Sequence, residues 1–147
     1  MAFQRILVPT DFSEGADKAI DLAVSVATMS HGKITLLHIG VTPEIYATWG
    51  LTGSMLNTVS ELSQRMADEQ LDILQQKADE QLPAPYRGPV ALRSGHAPEQ
   101  ILSVLDSGDF DLIVMGTHGR TGLDRVLIGS VAERVIRRSP IPVLVAR

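Results

Sequence analysis

Short apolar runs separated by longer helical patterns recur along the whole chain, and this alternation restricts the possible folds more than any other feature. Phe3 to Val8 reads as a first strand, closed by Pro9 and the turn-formers Thr10 and Asp11. Its run Ile6-Leu7-Val8 is apolar on successive positions, as expected of a strand buried on both faces. Lys33 to Ile39, Val90 to Arg93, Phe110 to Met115 and Val143 to Ala146 read as the remaining strands.

The intervening segments carry helical spacing. Ala16, Ala19, Ile20, Ala23, Val24 and Ala27 recur at steps of three and four, one face of a helix that Gly32 ends. Asp11 or Ser13 could cap it, and Asp11 with Glu14 has capping-box spacing. After an irregular stretch from Gly40 to Gly53, which holds Pro43 and Trp49, a long amphipathic helix is expected from Ser54 to about Leu82. Its apolar face would be Met55, Val59, Leu62, Met66, Ile73 and Leu74, and Asp68, Glu69, Asp72, Asp79 and Glu80 would be solvated. Pro83 and Pro85 stop it. Pro98 suits the first residue of a third helix that buries Ile101, Leu102, Val104 and Leu105 and ends at Gly108. In the last helix Val131, Val135 and Ile136 line one face, with Arg137 and Arg138 near its negative end. The order βαβαβαβαβ implies an α/β fold: right-handed crossovers, a parallel sheet and helices on both faces.

Composition narrows the function classes. A chain of 147 residues with 44% hydrophobic and 20% charged residues suits one globular domain, residues 1–147. A net charge of -4 supplies no general attraction to nucleic acid or anionic membrane. The absence of cysteine excludes disulfide scaffolds, thiol catalysis and Cys-based zinc sites. No histidine pair has metal-ligand spacing, so no dedicated metal site is expected. Met1 to Arg5 shows no signal-peptide pattern and no apolar run approaches the ~20 residues of a membrane span. A soluble cytoplasmic protein is the expectation.

The richest chemical signal is Gly116-Thr117-His118-Gly119-Arg120-Thr121-Gly122, followed later by Gly129-Ser130. It lies between the fourth strand and the last helix. Glycine permits close approach of a ligand to the backbone, and a helix N-terminus offers unpaired N–H groups to an anion. In open α/β sheets ligands bind beyond the C-terminal strand ends where strand order reverses, so Pro9-Thr10-Asp11 could converge on the same place. Two common phosphate motifs do not fit. G-x-x-x-x-G-K-[ST] is absent, no lysine follows Lys77, and Gly116 and Gly119 lack the G-x-G-x-x-G spacing.

Gly116-x2-Gly119-x9-Gly129-Ser130 resembles the ATP-binding signature of the universal stress protein family, G-x2-G-x9-G-[S/T]. The segment Ile6 to Ser13 is similar to that family's first strand and turn, Leu37-His38-Ile39 to its second strand, and Gly129 to Val145 to its C-terminal helix and strand. The likeness covers nearly the whole chain and is weakest from Val41 to Pro89. It implies a Rossmann-like open five-stranded sheet of order 3-2-1-4-5, akin to adenine nucleotide alpha hydrolases, and a homodimer formed partly through the last strand. Some members lack the glycine signature and do not bind ATP; this chain retains it. The resemblance implies ATP, with or without magnesium, held by Gly116, Gly119, Gly129 and Ser130 around the phosphates, with Thr117, His118, Arg120 and Val131 beside them. Pro9, Thr10 and Asp11 complete the site, Asp11 facing ribose or adenine, while Ile39 and Met115 lie against the base.

Bland readings stand beside these. Asp11 also reads as a helix cap alone, His118 and Arg120 as solvated loop residues, and Arg125 likewise. His38, on a buried strand, reads as a packed core histidine, and Trp49 as part of a small satellite core. With no second acidic cluster near the loop, a dimeric regulatory or stress-response module with slow or no turnover is favoured over an ATP hydrolase or phosphotransferase, and no catalytic residue is assigned.

Overall fold

A computed structural model describes residues 2–40, 50, 53–117 and 128–147. The strands are β1 (Arg5–Pro9), β2 (Lys33–Gly40), β3 (Arg87–Ser94), β4 (Leu112–Gly116) and β5 (Val143–Ala146). The helices are α1 (Glu14–Ser30), α2 (Ser54–Gln81), α3 (Ala97–Asp106) and α4 (Ser130–Arg138), with a 3-10 turn at Ala84–Tyr86. The strands form one sheet of order β3-β2-β1-β4-β5, every pairing parallel. Ile6 stands between Ile34 of β2 and Leu112 of β4, so β1 is the central strand.

The unbroken apolar runs are explained by burial on both faces. Ile6 and Val8 pack with Ala19, Ile20, Ala23 and Leu74 on the α1/α2 side, whereas Leu7 between them packs with Ile101, Leu105 and Val135 on the α3/α4 side. Successive side chains of a strand point to opposite faces, so each face of the sheet needs its own apolar set. Asp17 of α1 pairs with Lys77 of α2 at 2.7 Å, fastening the two helices of one layer.

Several boundaries differ from expectation for local reasons. β3 begins at Arg87 rather than Val90, because an irregularity in its pairing with β2 between Ile34 and Leu36 accommodates Gly88 and Pro89. Pro89 is tolerated because β3 is an edge strand. β4 begins at Leu112 rather than Phe110; Asp111 instead accepts hydrogen bonds from the backbone N–H groups of Gln4 and Arg5 at 3.0 and 3.1 Å. The cap of α1 is Ser13, whose Oγ accepts from the Ala16 N–H, so Asp11 is not the capping residue. His31, at φ 58, takes the left-handed position after α1.

The expected buried face of α2 is corrected most. Only Leu74 of the six residues is fully buried; Val59 is half-buried, and Met55, Leu62, Met66 and Ile73 are exposed. The helix packs instead through Leu74 and Ala78 near its C-terminal end, small and large residues whose helical spacing is as regular as that of the exposed set. On α4, Ala132 and Val135 are buried, Val131 is half-buried and Ile136 is exposed. Trp49 lies outside the described residues.

Candidate functional site

With β1 central and β4 beside it, the chain leaves β1 toward α1 and leaves β4 toward α4, so the two connections diverge at the C-terminal end of the sheet. A cleft of about 370 Å³ opens there. From the first connection it is lined by Pro9, Thr10 and Asp11, from β2 by Ile39, and from the end of β4 by Met115, Gly116 and Thr117. Gly129, Ser130 and Val131 close the opposite wall at the start of α4. His118, Gly119, Arg120 and Arg125 fall outside the described residues.

The β1–α1 connection is held in shape by its own side chains. Thr10 Oγ1 accepts from the Phe12 N–H at 3.1 Å, and Asp11 Oδ1 accepts from the Ser13 N–H at 3.0 Å. The Thr10 N–H continues the ladder to the Leu37 carbonyl at 2.8 Å. Between these bonds Phe12 sits at φ 64, in the left-handed region that non-glycine residues adopt at some cost. The Phe12 ring lies 4.5 Å from that of His38, and His38 Nδ1 is 2.8 Å from the Thr10 carbonyl. A carbonyl only accepts, so Nδ1 carries the proton of this bond. His38 is thus a buried, hydrogen-bonded residue, as expected, and it also borders the cleft.

The other wall is a helix N-terminus. Gly129 is the N-cap of α4 and makes no side-chain cap, in contrast to Ser13 on α1. Among the described residues no side-chain oxygen caps the first N–H groups of α4, and Ser130, Val131 and Ala132 all border the cleft. Thr117 and Gly129 are drawn together by a hydrogen bond from the Gly129 N–H to the Thr117 carbonyl at 2.5 Å. The Thr117 N–H bonds the Ala146 carbonyl at 3.2 Å, tying the same corner to the end of β5.

Further lining residues were not singled out from the sequence. Ser13 and Ala16 come from the start of α1, Leu37 from β2, and Ala97 and Ile101 from α3. The α3 contribution has a topological signal: its N-terminus follows the C-terminal end of β3, on the cleft side of the sheet. The cleft is thus graded. Leu37, Ile39, Ile101 and Met115 make an apolar floor, and backbone donors with the Ser130 hydroxyl make a polar end. Among the described lining residues Asp11 is the only carboxylate, and none is lysine or arginine. No cluster of three or more His, Asp or Glu suited to a metal ion occurs among the described residues. No helix among them is long and apolar enough to cross a membrane.

Comparison with known proteins is consistent across sequence and structure. The model of the universal stress protein family matches residues 2–147. Universal stress protein MJ0577 of Methanocaldococcus jannaschii is 30% identical over 154 aligned residues, covering 99% of this chain and 95% of the relative. Universal stress protein YxiE of Bacillus subtilis is 28% identical, covering 99% of each chain. The solved structure of MJ0577 superimposes with a TM-score of 0.81, covering 99% of this chain and 96% of that one. Universal stress protein UspA from Lactobacillus plantarum gives a TM-score of 0.77 at 25% identity, covering 100% and 99%.

Proposed function

The chain belongs to the universal stress protein family, and from that premise we propose that it is an adenine-nucleotide-binding regulatory module whose ligand is ATP. The observation that carries the reading is the graded cleft at the divergence of β1 and β4. Its volume lies in the range of ligand sites, roughly 300–1,000 Å³. The apolar floor suits a purine base, with Ile39 and Met115 against it. Asp11 stands where a carboxylate can accept from ribose hydroxyls or the base amino group. The start of α4, with Gly116, Gly129 and Ser130, suits the phosphates; Pro9, Thr10, Thr117 and Val131 shape the walls. The spacing of the signature assigns His118, Gly119 and Arg120, which lie outside the described residues, to the phosphates as well. Magnesium would enter with the phosphates, since it is commonly held by substrate oxygens and water.

The lining chemistry supports holding rather than turnover. Phosphoryl transfer draws on a base as well as placed cations around the transferring group. Among the described lining residues Asp11 is the only carboxylate, and its Oδ1 accepts from the Ser13 N–H, so beside the Arg120 assigned by the signature no second acid among them is at hand to act as that base. Native mass spectrometry of gently purified protein is expected to show adenine nucleotide bound, and calorimetry to show ATP binding to the emptied protein. Absence of both would sink the proposal. In single-turnover assays cleavage is expected to stay below ~1 per second; faster cleavage would make the protein an enzyme.

We also propose a homodimer through β5. This strand has β4 on one side and an open edge on the other. Val143, Leu144 and Val145 are half-buried apolar residues along that edge. Val145→Asp is expected to shift sedimentation from dimer to monomer with the fold retained. An unchanged sedimentation coefficient would refute pairing through β5.

A further inference from the structure

The long helix α2 presents a second surface, remote in the sheet order from β5 because α2 lies against β3 and β2. Met55, Leu62, Met66 and Ile73 are 61%, 53%, 57% and 53% exposed. At about 100° per residue these positions fall within roughly 40° of one another and extend along about 27 Å of helix. They lie about 100° round the helix from Leu74 and about 140° from Ala78, which fix the helix to the sheet. An exposed apolar line of this length is a mark of an interaction surface.

The charges beside that line select the partner. Glu69 and Glu80 project within about 40° of it, Asp72 about 100° round the helix on the side away from Leu74, and Glu61 and Asp68 farther round on that side. None of these carboxylates pairs with a cation among the described residues; Asp68 and Glu80 accept only from Gln64 and Gln76 of the same helix. Of the cations of α2, Lys77 is committed to Asp17, so Arg65 alone offsets the acidic flank. A second copy laid stripe to stripe would oppose two acidic surfaces, and an anionic membrane would be repelled in the same way.

We propose that the outer face of α2 docks a basic amphipathic helix of another protein, with apolar residues on the stripe and Lys or Arg against Glu69, Asp72 and Glu80. Apolar contact supplies the affinity, and the carboxylates supply orientation and choice of partner. The proposal is independent of what the cleft binds.

The test uses the full chain and a fluorescent helical peptide of about 20 residues, long enough for the stripe, with leucines on one face and lysines beside them. A second peptide carries glutamates in place of the lysines. Anisotropy is expected to show binding of the lysine peptide and none of the glutamate peptide. Leu62→Asp with Met66→Asp should weaken the lysine peptide at least tenfold, and Glu69→Lys with Asp72→Lys should reverse the preference. All four side chains are exposed, so unchanged thermal melting is expected for both variants. Failure of the lysine peptide to bind, or equal binding by either double variant, overturns the proposal. So does conversion of an oligomeric wild type to monomer by Leu62→Asp with Met66→Asp, which would make a second copy the occupant.

Discussion

Ser130→Glu is expected to abolish ATP binding while leaving the fold as stable as before. The two effects separate because a helix N-terminus favours a carboxylate of its own, by about 0.3–1 kcal/mol, and Ser130 is exposed at the first position of α4. The same carboxylate would occupy the polar end of the cleft. There it would fill the first N–H groups of α4 and oppose the phosphates with like charge. A hydrogen bond to a charged group is worth about 1.5–3 kcal/mol, or roughly a ten- to more than a hundredfold change in affinity. Repulsion adds to that, so a loss of at least about a hundredfold is expected by calorimetry. Ser130→Ala, which keeps the backbone donors, should lose far less. If Ser130→Glu binds ATP as the wild type does, the start of α4 is not the phosphate site.

Gly116→Val should act on the fold itself. A Cβ at Gly116 would stand 2.6 Å from the Gly15 carbonyl oxygen and 2.9 Å from its carbon, at the start of α1. These are backbone atoms of a capped helix, which cannot turn aside as a side chain can. Overpacking of this kind costs about 1–3 kcal/mol, and a valine at the upper end would lower the melting temperature by roughly 5–10 °C for a chain of this size. Gly40→Ala is the control. Its Cβ would also meet an atom at 2.6 Å, but that atom is Oε1 of Gln70, at the end of a flexible side chain. Thermal denaturation should separate the two variants; equal melting points would show that α1 can move away from β4.

The element sequence and the parallel α/β class follow from apolar runs such as Ile6-Leu7-Val8 and the spacing of Ala16 to Ala27, because these patterns reflect burial directly. Strand order does not follow from periodicity; here it came from the family resemblance, and the observed order agrees with it. The start of β3 was concealed by Gly88 and Pro89, poor strand formers that an edge strand nonetheless accepts. On α2 two regular apolar sets compete, and only contact with the sheet decides that Leu74 and Ala78 are inside and Leu62 and Met66 outside. At the cleft, Asp11 and Ser130 were visible as turn and helix-start residues. Ala97 and Ile101 were not, because they reach it across the chain from α3. Neither the left-handed Phe12 nor its contact with His38 has a local sequence signature.

The two margins of the sheet are unequal, and this limits how such sheets can join. β3 carries Pro89, which lacks an N–H, and its pairing is already irregular; both features discourage a further strand from adding there. β5 has neither safeguard along Val143–Ala146. Addition is therefore confined to one margin, and a two-fold contact at that margin uses up the same surface on both molecules. In the dimer proposed through β5, growth would stop at a pair, and an unguarded strand would not lead to an endless ribbon.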